Sequence, residues 1–264
     1  MKLTATCKHC GNIDHTRNMH KVTSYAHNYY FVCEECNEKM YSYYRENDSF
    51  VRKSAGHGCT TSIELETAER NTASNLLYEY GFIPTSDCTV DCEWKSPIWQ
   101  NLSGQAQMLR SIEKFVAIDH RCGTHTNVGH PELNIGMIRR YYHSIFVPLS
   151  KYLASNPDKC KQVYGRELNR WAEGVNEYSS AMNHSNYVNV EHDTHLEFRT
   201  AKFVTGDQMM KVIKMSNEMV KCIVANFSLY ATDYSTASAE DKAKRSQKAK
   251  VTGEKLVKIF QKYE

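Results

Sequence analysis

Cys7-Lys8-His9-Cys10 and Cys33-Glu34-Glu35-Cys36 are two CxxC pairs separated by 22 residues, and they limit the local fold more tightly than any other stretch. A CxxC turn brings two thiolates within reach of one ion, and two such turns complete the tetrahedral sulfur shell that zinc prefers. Four thiolates close the coordination sphere. The expected zinc site of Cys7, Cys10, Cys33 and Cys36 is therefore structural, and the ion supplies folding free energy to a small module. Two disulfides or unconnected thiols are the competing possibility, and His9, His15 and His20 are alternative ligands. Zinc ribbons dock nucleic acid about as often as protein, and Lys2, Lys8, Arg17 and Lys21 make only a sparse basic surface.

A chain of 264 residues accommodates one generous core beside such a module. No apolar run approaches the roughly 18–20 residues of a membrane span. Met1–Cys7 has no apolar stretch of signal-peptide length. The cysteines outside the two pairs (Cys59, Cys88, Cys92, Cys122, Cys160 and Cys222) show no spacing pattern, so reduced thiols in a cytoplasmic setting are expected. A net charge of +3 is too small to argue for nucleic acid. Composition divides the chain into a zinc module over residues 1–54, a main domain over 55–230, and a polar linker with a basic C-terminal helix over 231–264.

In the main domain, Ser62–Thr67 and Thr89–Ser96 alternate polar and apolar residues, the period of half-buried strands. Ser103–Ile118 has helical spacing. Pro131 is expected to open a long helix carrying Leu133, Met137, Tyr141, Ile145 and Leu149, with Pro148 kinking its far end. Asn186–Val190 and His195–Thr200 read as two strands joined by Glu191-His192-Asp193. Asp207–Leu229 carries an unbroken apolar stripe. Strands and helices mix, with at least one antiparallel pair, which predicts an α+β layered sheet.

Glu64 and Glu66 leave one face of their strand while Ile63 and Leu65 take the other. Adjacent carboxylates repel unless a cation lies between them. A hard metal such as magnesium satisfies such a face and keeps positions open for phosphate. A solvated strand face is the plainer alternative. The pattern recurs, however: Glu93, His125 and the trio His195, Glu197 and Arg199 each project from the polar side of a strand. If these strands are neighbours, Glu64, Glu66, Glu93, His125, Glu197 and Arg199 form one polar floor.

Four segments then line up in order. They are Ile63-Glu64-Leu65-Glu66; Asp87 with Glu93-Trp94-Lys95-Ser96-Pro97-Ile98; Cys122-Gly123-Thr124-His125-Thr126-Asn127-Val128; and Leu196-Glu197-Phe198-Arg199. Together they resemble the amidoligase family, carboxylate–amine ligases built on the glutamine-synthetase-like catalytic fold. The resemblance covers about residues 62–227 and is carried by short motifs. It implies a curved antiparallel sheet with helices packed on one face and a concave face that binds ATP and divalent ions. It further implies that ATP phosphorylates a carboxylate and that an amine attacks the acyl phosphate, giving an amide or isopeptide bond on a small molecule, peptide or protein. Carried over, Glu64, Glu66, Glu93, His125 and Glu197 are expected magnesium ligands. Glu64, Glu197 and Arg199 form the catalytic set, with Arg199 also neutralising the transferred phosphoryl group. Arg170, in Asn169-Arg170-Trp171, is the expected further nucleotide contact. The chain departs from the family where a second histidine is often found and Asn127 stands instead, a residue that cannot act as a base. The zinc module also lies outside the family pattern. The alternative is a catalytically inactive zinc-ribbon adaptor or nucleic-acid-binding protein on a degenerate ligase scaffold, recognisable by salt-sensitive binding to DNA or RNA.

Cys122 as a nucleophile with His125 as base is disfavoured, because residues three apart on a strand face opposite ways. His192 and His195 flank a turn, where exposed histidines are commoner than a metal pair. From Ser238 onward eight Lys or Arg stand against four acidic residues, with Leu256, Ile259 and Phe260 on one edge. A solvated helix packed lightly on the body is expected there rather than an RNA-binding tail.

Overall fold

The computed structural model describes residues 4–7, 12–23, 29–35, 58–68, 77, 80–85, 90, 92–99, 102–227 and 234–264. Near the N-terminus two small antiparallel pairs form, β1 (Thr4–Thr6) with β2 (Ile13–His15) and β3 (Met19–Thr23) with β4 (Tyr29–Cys33). The larger sheet contains β5 (Thr60–Thr67), β6 (Ile83–Thr85), β7 (Cys92–Lys95), β8 (Thr124–Gly129), β9 (Val188–Asn189) and β10 (His195–Ala201). Its order is β6-β7-β5-β8-β10-β9, with every neighbouring pair antiparallel. The helices are α1 (Leu102–Ile112), α2 (Ile135–Arg140), α3 (Tyr142–Ser155), α4 (Pro157–Tyr164), α5 (Gly206–Phe227) and α6 (Ala239–Gln261). The architecture is α+β, as the periodicities predict.

Alternation in the strands explains the sheet's two faces. Ile63, Leu65, Cys92, Trp94, Val128, Leu196 and Phe198 are all buried in the main apolar cluster. The intervening residues point the other way and carry the charges. Helix α5 packs on β8 and β10 and against α1, and its stripe of Met209, Val212, Ile213, Val220, Ile223, Val224 and Phe227 is buried. Each large apolar side chain so buried contributes about 1.5–3 kcal/mol. Among the described residues no helix is long and apolar enough to cross a membrane.

Several expected boundaries move. Helix α1 stops at Ile112 rather than Ile118, leaving Phe115 in a turn and half exposed. Pro131 lies in a turn, and the helix begins only after Asn134, whose side chain accepts the Met137 N–H. The expected single helix is split at Tyr141, and Pro148 sits inside α3, seven residues before its end at Ser155. The expected antiparallel pair near residues 186–200 is present as β9 and β10, with Glu197 opposite Asn189.

The C-terminal helix is more deeply docked than its composition suggests. Helix α6 packs along α3 and α5 and buries Arg245, Ala249, Thr252, Gly253, Leu256, Ile259 and Phe260. Ser238 caps it by accepting the Asp241 N–H, and two acidic residues in its first turn suit the helix dipole.

Candidate metal centre

The strand order places β7, β5, β8 and β10 side by side, so the polar floor forms. Register pairs Glu66 with Glu93 and Glu64 with both Lys95 and His125. One row further, Asn127 lies between Ser62 and Glu197, and Glu197 faces Asn189. Between β8 and β10 the register shifts, Phe198 pairing with Thr126 but Ala201 with Thr124, which puts one extra residue opposite His125. Such a bulge re-aims a side chain. Here Arg199 ends beside Glu197, its Nη1 2.6 Å from Glu197 Oε1.

His125 is the centre of the floor. Its Nδ1 is 2.9 Å from Glu197 Oε1 and 3.5 Å from Glu64 Oε2, and its Nε2 is 3.6 Å from Glu66 Oε1. Glu64, His125 and Glu197 each offer a ligand atom within 4.8 Å of the others, and so do Glu66, Glu93 and His125. Two three-residue groups thus meet at one imidazole.

Cations and donors brace the carboxylates. Lys95 Nζ lies 3.2 Å from Glu64 and 3.6 Å from Glu93. Asn127 donates to Glu64 Oε1 at 3.1 Å, Asn189 to Glu197 Oε2 at 2.7 Å, and the Thr85 hydroxyl to Glu93 Oε1 at 2.6 Å. The Gly123 N–H donates to Glu66 Oε2. Arg166 is anchored by the carbonyls of Thr200 and Arg199, and a Cβ at Gly123 would stand 2.9 Å from its Nη2 and 3.2 Å from Glu66 Oε2. A side chain at this position would press the Arg166 guanidinium and the Glu66 carboxylate from their places.

Burial opposes ionisation across this floor, and neighbours decide each outcome. Burial of Glu64 is outweighed by Lys95 and His125, which hold its carboxyl below the usual range. Burial of Glu197 is likewise outweighed by His125 and His192, which hold it well below that range. For Glu93, burial and the Glu64 charge together raise the pKa to about 7. Burial and Arg199 oppose protonation of His125, but Glu197 and Glu64 prevail and raise it to about 9.

Four carboxylates and one imidazole suit a hard or borderline divalent cation. The floor also has unmet polar atoms. Ser62 Oγ and Asn127 Oδ1 are buried without a hydrogen-bond partner, and His125 Nδ1 has no aligned hydrogen bond despite the nearby Glu197 oxygen. Atoms of this kind are costly to bury alone, and a bound water or ion on the floor would satisfy them.

Other residues noted in the sequence have their own surroundings. Arg170 is exposed, with its guanidinium 4.5 Å from the centre of the Trp171 ring. The Cys122 thiol contacts Asp119, and burial pushes its pKa up to about 11, which disfavours the thiolate a nucleophile needs. His192 and His195 stack at 4.3 Å, with His192 turned toward Glu197 at 3.6 Å. Lys95, Asn189 and Arg166 were not singled out from sequence. Lys95 shares strand parity with Glu93 and Asn189 lies on an anticipated strand, so both had a signal; Arg166, on the loop after α4, had none.

In the N-terminal region Cys7 follows β1 and Cys33 ends β4, both are buried, and the Cys33 N–H donates to Cys7 Sγ at 3.3 Å. Cys10 and Cys36 lie outside the described residues.

No protein-family model matches the chain, and no curated protein matches it.

Proposed function

We propose that the protein is an ATP-dependent carboxylate–amine ligase with a magnesium-binding floor and a structural zinc module. The observation that carries this is the convergence of two ligand groups on His125. A neutral imidazole offers one lone pair, so His125 ligates in one group and donates its other N–H to a carboxylate of the second. Glu64 and Glu197 complete one cation site, and Glu66 and Glu93 the other. Divalent ions held there would neutralise phosphate oxygens and make the terminal phosphorus of ATP a better electrophile. Arg199 and Arg166 add positive charge on the same side, and Lys95 keeps Glu64 ionised. The curved glutamine-synthetase-like sheet, formation of an acyl phosphate, and attack by an amine belong to this proposal through the sequence resemblance.

Lys95 also favours a second possibility. Its ammonium already sits between Glu64 and Glu93, as a metal would, which fits a floor neutralised from within and an inactive adaptor. Calorimetry separates the two. The intact protein is expected to bind MgATP, and a Glu66→Gln, Glu93→Gln double variant to lose more than about tenfold in affinity. An intact protein that binds neither magnesium nor MgATP removes the ligase and leaves the adaptor.

The zinc assignment has its own check. A backbone N–H aimed at sulfur favours the thiolate, which suits Cys7 as a ligand. Purified protein is expected to carry one equivalent of zinc by elemental analysis, and Cys33→Ser to lose it with a lower melting temperature. Zinc-supplemented protein that contains none rules the site out.

A further inference from the structure

After α4 the chain makes a tight, well-braced turn. Asn169 and Ala172 exchange backbone hydrogen bonds at 3.2 and 3.1 Å, and the Asn169 side chain accepts the Trp171 N–H at 2.8 Å. Ala172 is fully buried, and the next residue is tied to Ser185 and Tyr187 by backbone hydrogen bonds of 2.7 and 2.9 Å. Arg170 and Trp171 are held at the tip. Trp171 is 39% exposed, whereas Trp94 is 1% exposed in the core.

A solitary exposed aromatic residue needs no explanation. Trp171 differs because of where the turn holds it. Its carbonyl accepts a hydrogen bond from Arg199 Nε at 3.4 Å, and the same guanidinium reaches Glu197 at 2.6 Å. Two polar contacts therefore join the backbone of an exposed indole to a carboxylate of the candidate metal centre. Arg170 lies over the ring, so an aromatic surface is already stacked with a planar cation.

We propose that Trp171 is the stacking platform for the purine base of the nucleotide whose phosphates lie on the floor, with Arg170 extending the stack. This rests on the ligase proposal for the phosphate end. It assigns the expected nucleotide contact of Arg170 to the base end. Stacking on an indole uses the face of the ring and not its edge, so adenine and guanine nucleotides bind alike and pyrimidine nucleotides bind more weakly.

The test compares MgATP with magnesium tripolyphosphate, which has the phosphates but no base. Binding is measured by calorimetry and by quenching of tryptophan fluorescence in the intact protein, Trp171→Ala and Trp171→Phe. Trp171→Ala is expected to weaken MgATP roughly 5- to 100-fold and leave tripolyphosphate unchanged, with Trp171→Phe restoring most of the loss. Unchanged MgATP affinity in Trp171→Ala overturns the platform. So does a parallel fall for tripolyphosphate, which would make Trp171 a support for Arg199 alone. If the intact protein binds neither probe, the phosphate floor fails, and the platform fails with it.

Discussion

Glu197→Ala is expected to destabilise the metal-free protein by about 3–5 kcal/mol, while Glu93→Gln changes stability by less than about 1 kcal/mol. The two carboxylates belong to the same floor, on β10 and β7, yet their surroundings differ. Glu197 is 2% exposed and takes Arg199 at 2.6 Å, Asn189 at 2.7 Å and His125 at 2.9 Å. Truncating it leaves a guanidinium and an imidazolium buried without their main counter-charge, the situation in which removing one partner costs most. Burial and the Glu64 charge raise the Glu93 pKa to about 7 against the pull of Lys95, so an amide replaces a group that is only partly charged near neutral pH. The amide oxygen also keeps the Thr85 hydroxyl bond. Urea titrations in the presence of a chelator read both numbers. Equal losses for the two variants would mean that the floor is not organised around Glu197.

The same contrast explains why this floor could be recognised from sequence and its bracing could not. Glu64 and Glu66 declare a common face because Ile63 and Leu65 declare the other, and period-2 alternation does the same for Glu93 between Cys92 and Trp94. Side-chain direction is a local property, and all six anticipated floor residues project as expected. What joins them is not local. Glu66 meets Glu93, and Glu64 meets His125, only because β5 lies between β7 and β8. Asn189 reaches the floor from the short strand β9 and Arg166 from a loop, both placed by tertiary packing, and Gly123 is informative only once Arg166 is seen beside it. Arg170 shows a limit of another kind: its place beside Trp171 is plain in the sequence, but its stacking on that ring is a matter of side-chain conformation. The helix after Pro131 was drawn too long because apolar spacing continues through Tyr141, where backbone hydrogen bonding breaks into two helices. The fold class was legible for the same local reasons, and the sheet order was not.

The C-terminal helix gives the other large effect. Phe260→Ala is expected to cost about 3–5 kcal/mol, as for a core aromatic residue, although it lies in a segment whose composition suggests a loosely packed tail. Phe260 is fully buried, with ring centres 5.6 Å from Tyr164 and 5.9 Å from Tyr152. Its helix can approach α3 this closely because of two residues that weaken helices elsewhere. Pro148 has no N–H, so the Ser144 carbonyl lacks the usual donor four residues on. Gly253 passes that carbonyl without a side chain, and a Cβ there would stand 2.5 Å from Ser144 O and 2.9 Å from Ile145 O. Both obstacles are backbone, so they cannot rotate away. Gly253→Val is therefore expected to destabilise in the same direction as Phe260→Ala by prising α6 from α3, about 1–3 kcal/mol from overpacking. The urea midpoint of each variant provides the measurement, with Lys244→Ala on the exposed face as a control within about 0.5 kcal/mol. If Phe260→Ala behaves like the control, α6 is an appendage after all. If it falls by the expected amount, the basic helix is part of the core, and its lysines are the solvated face of a structural element.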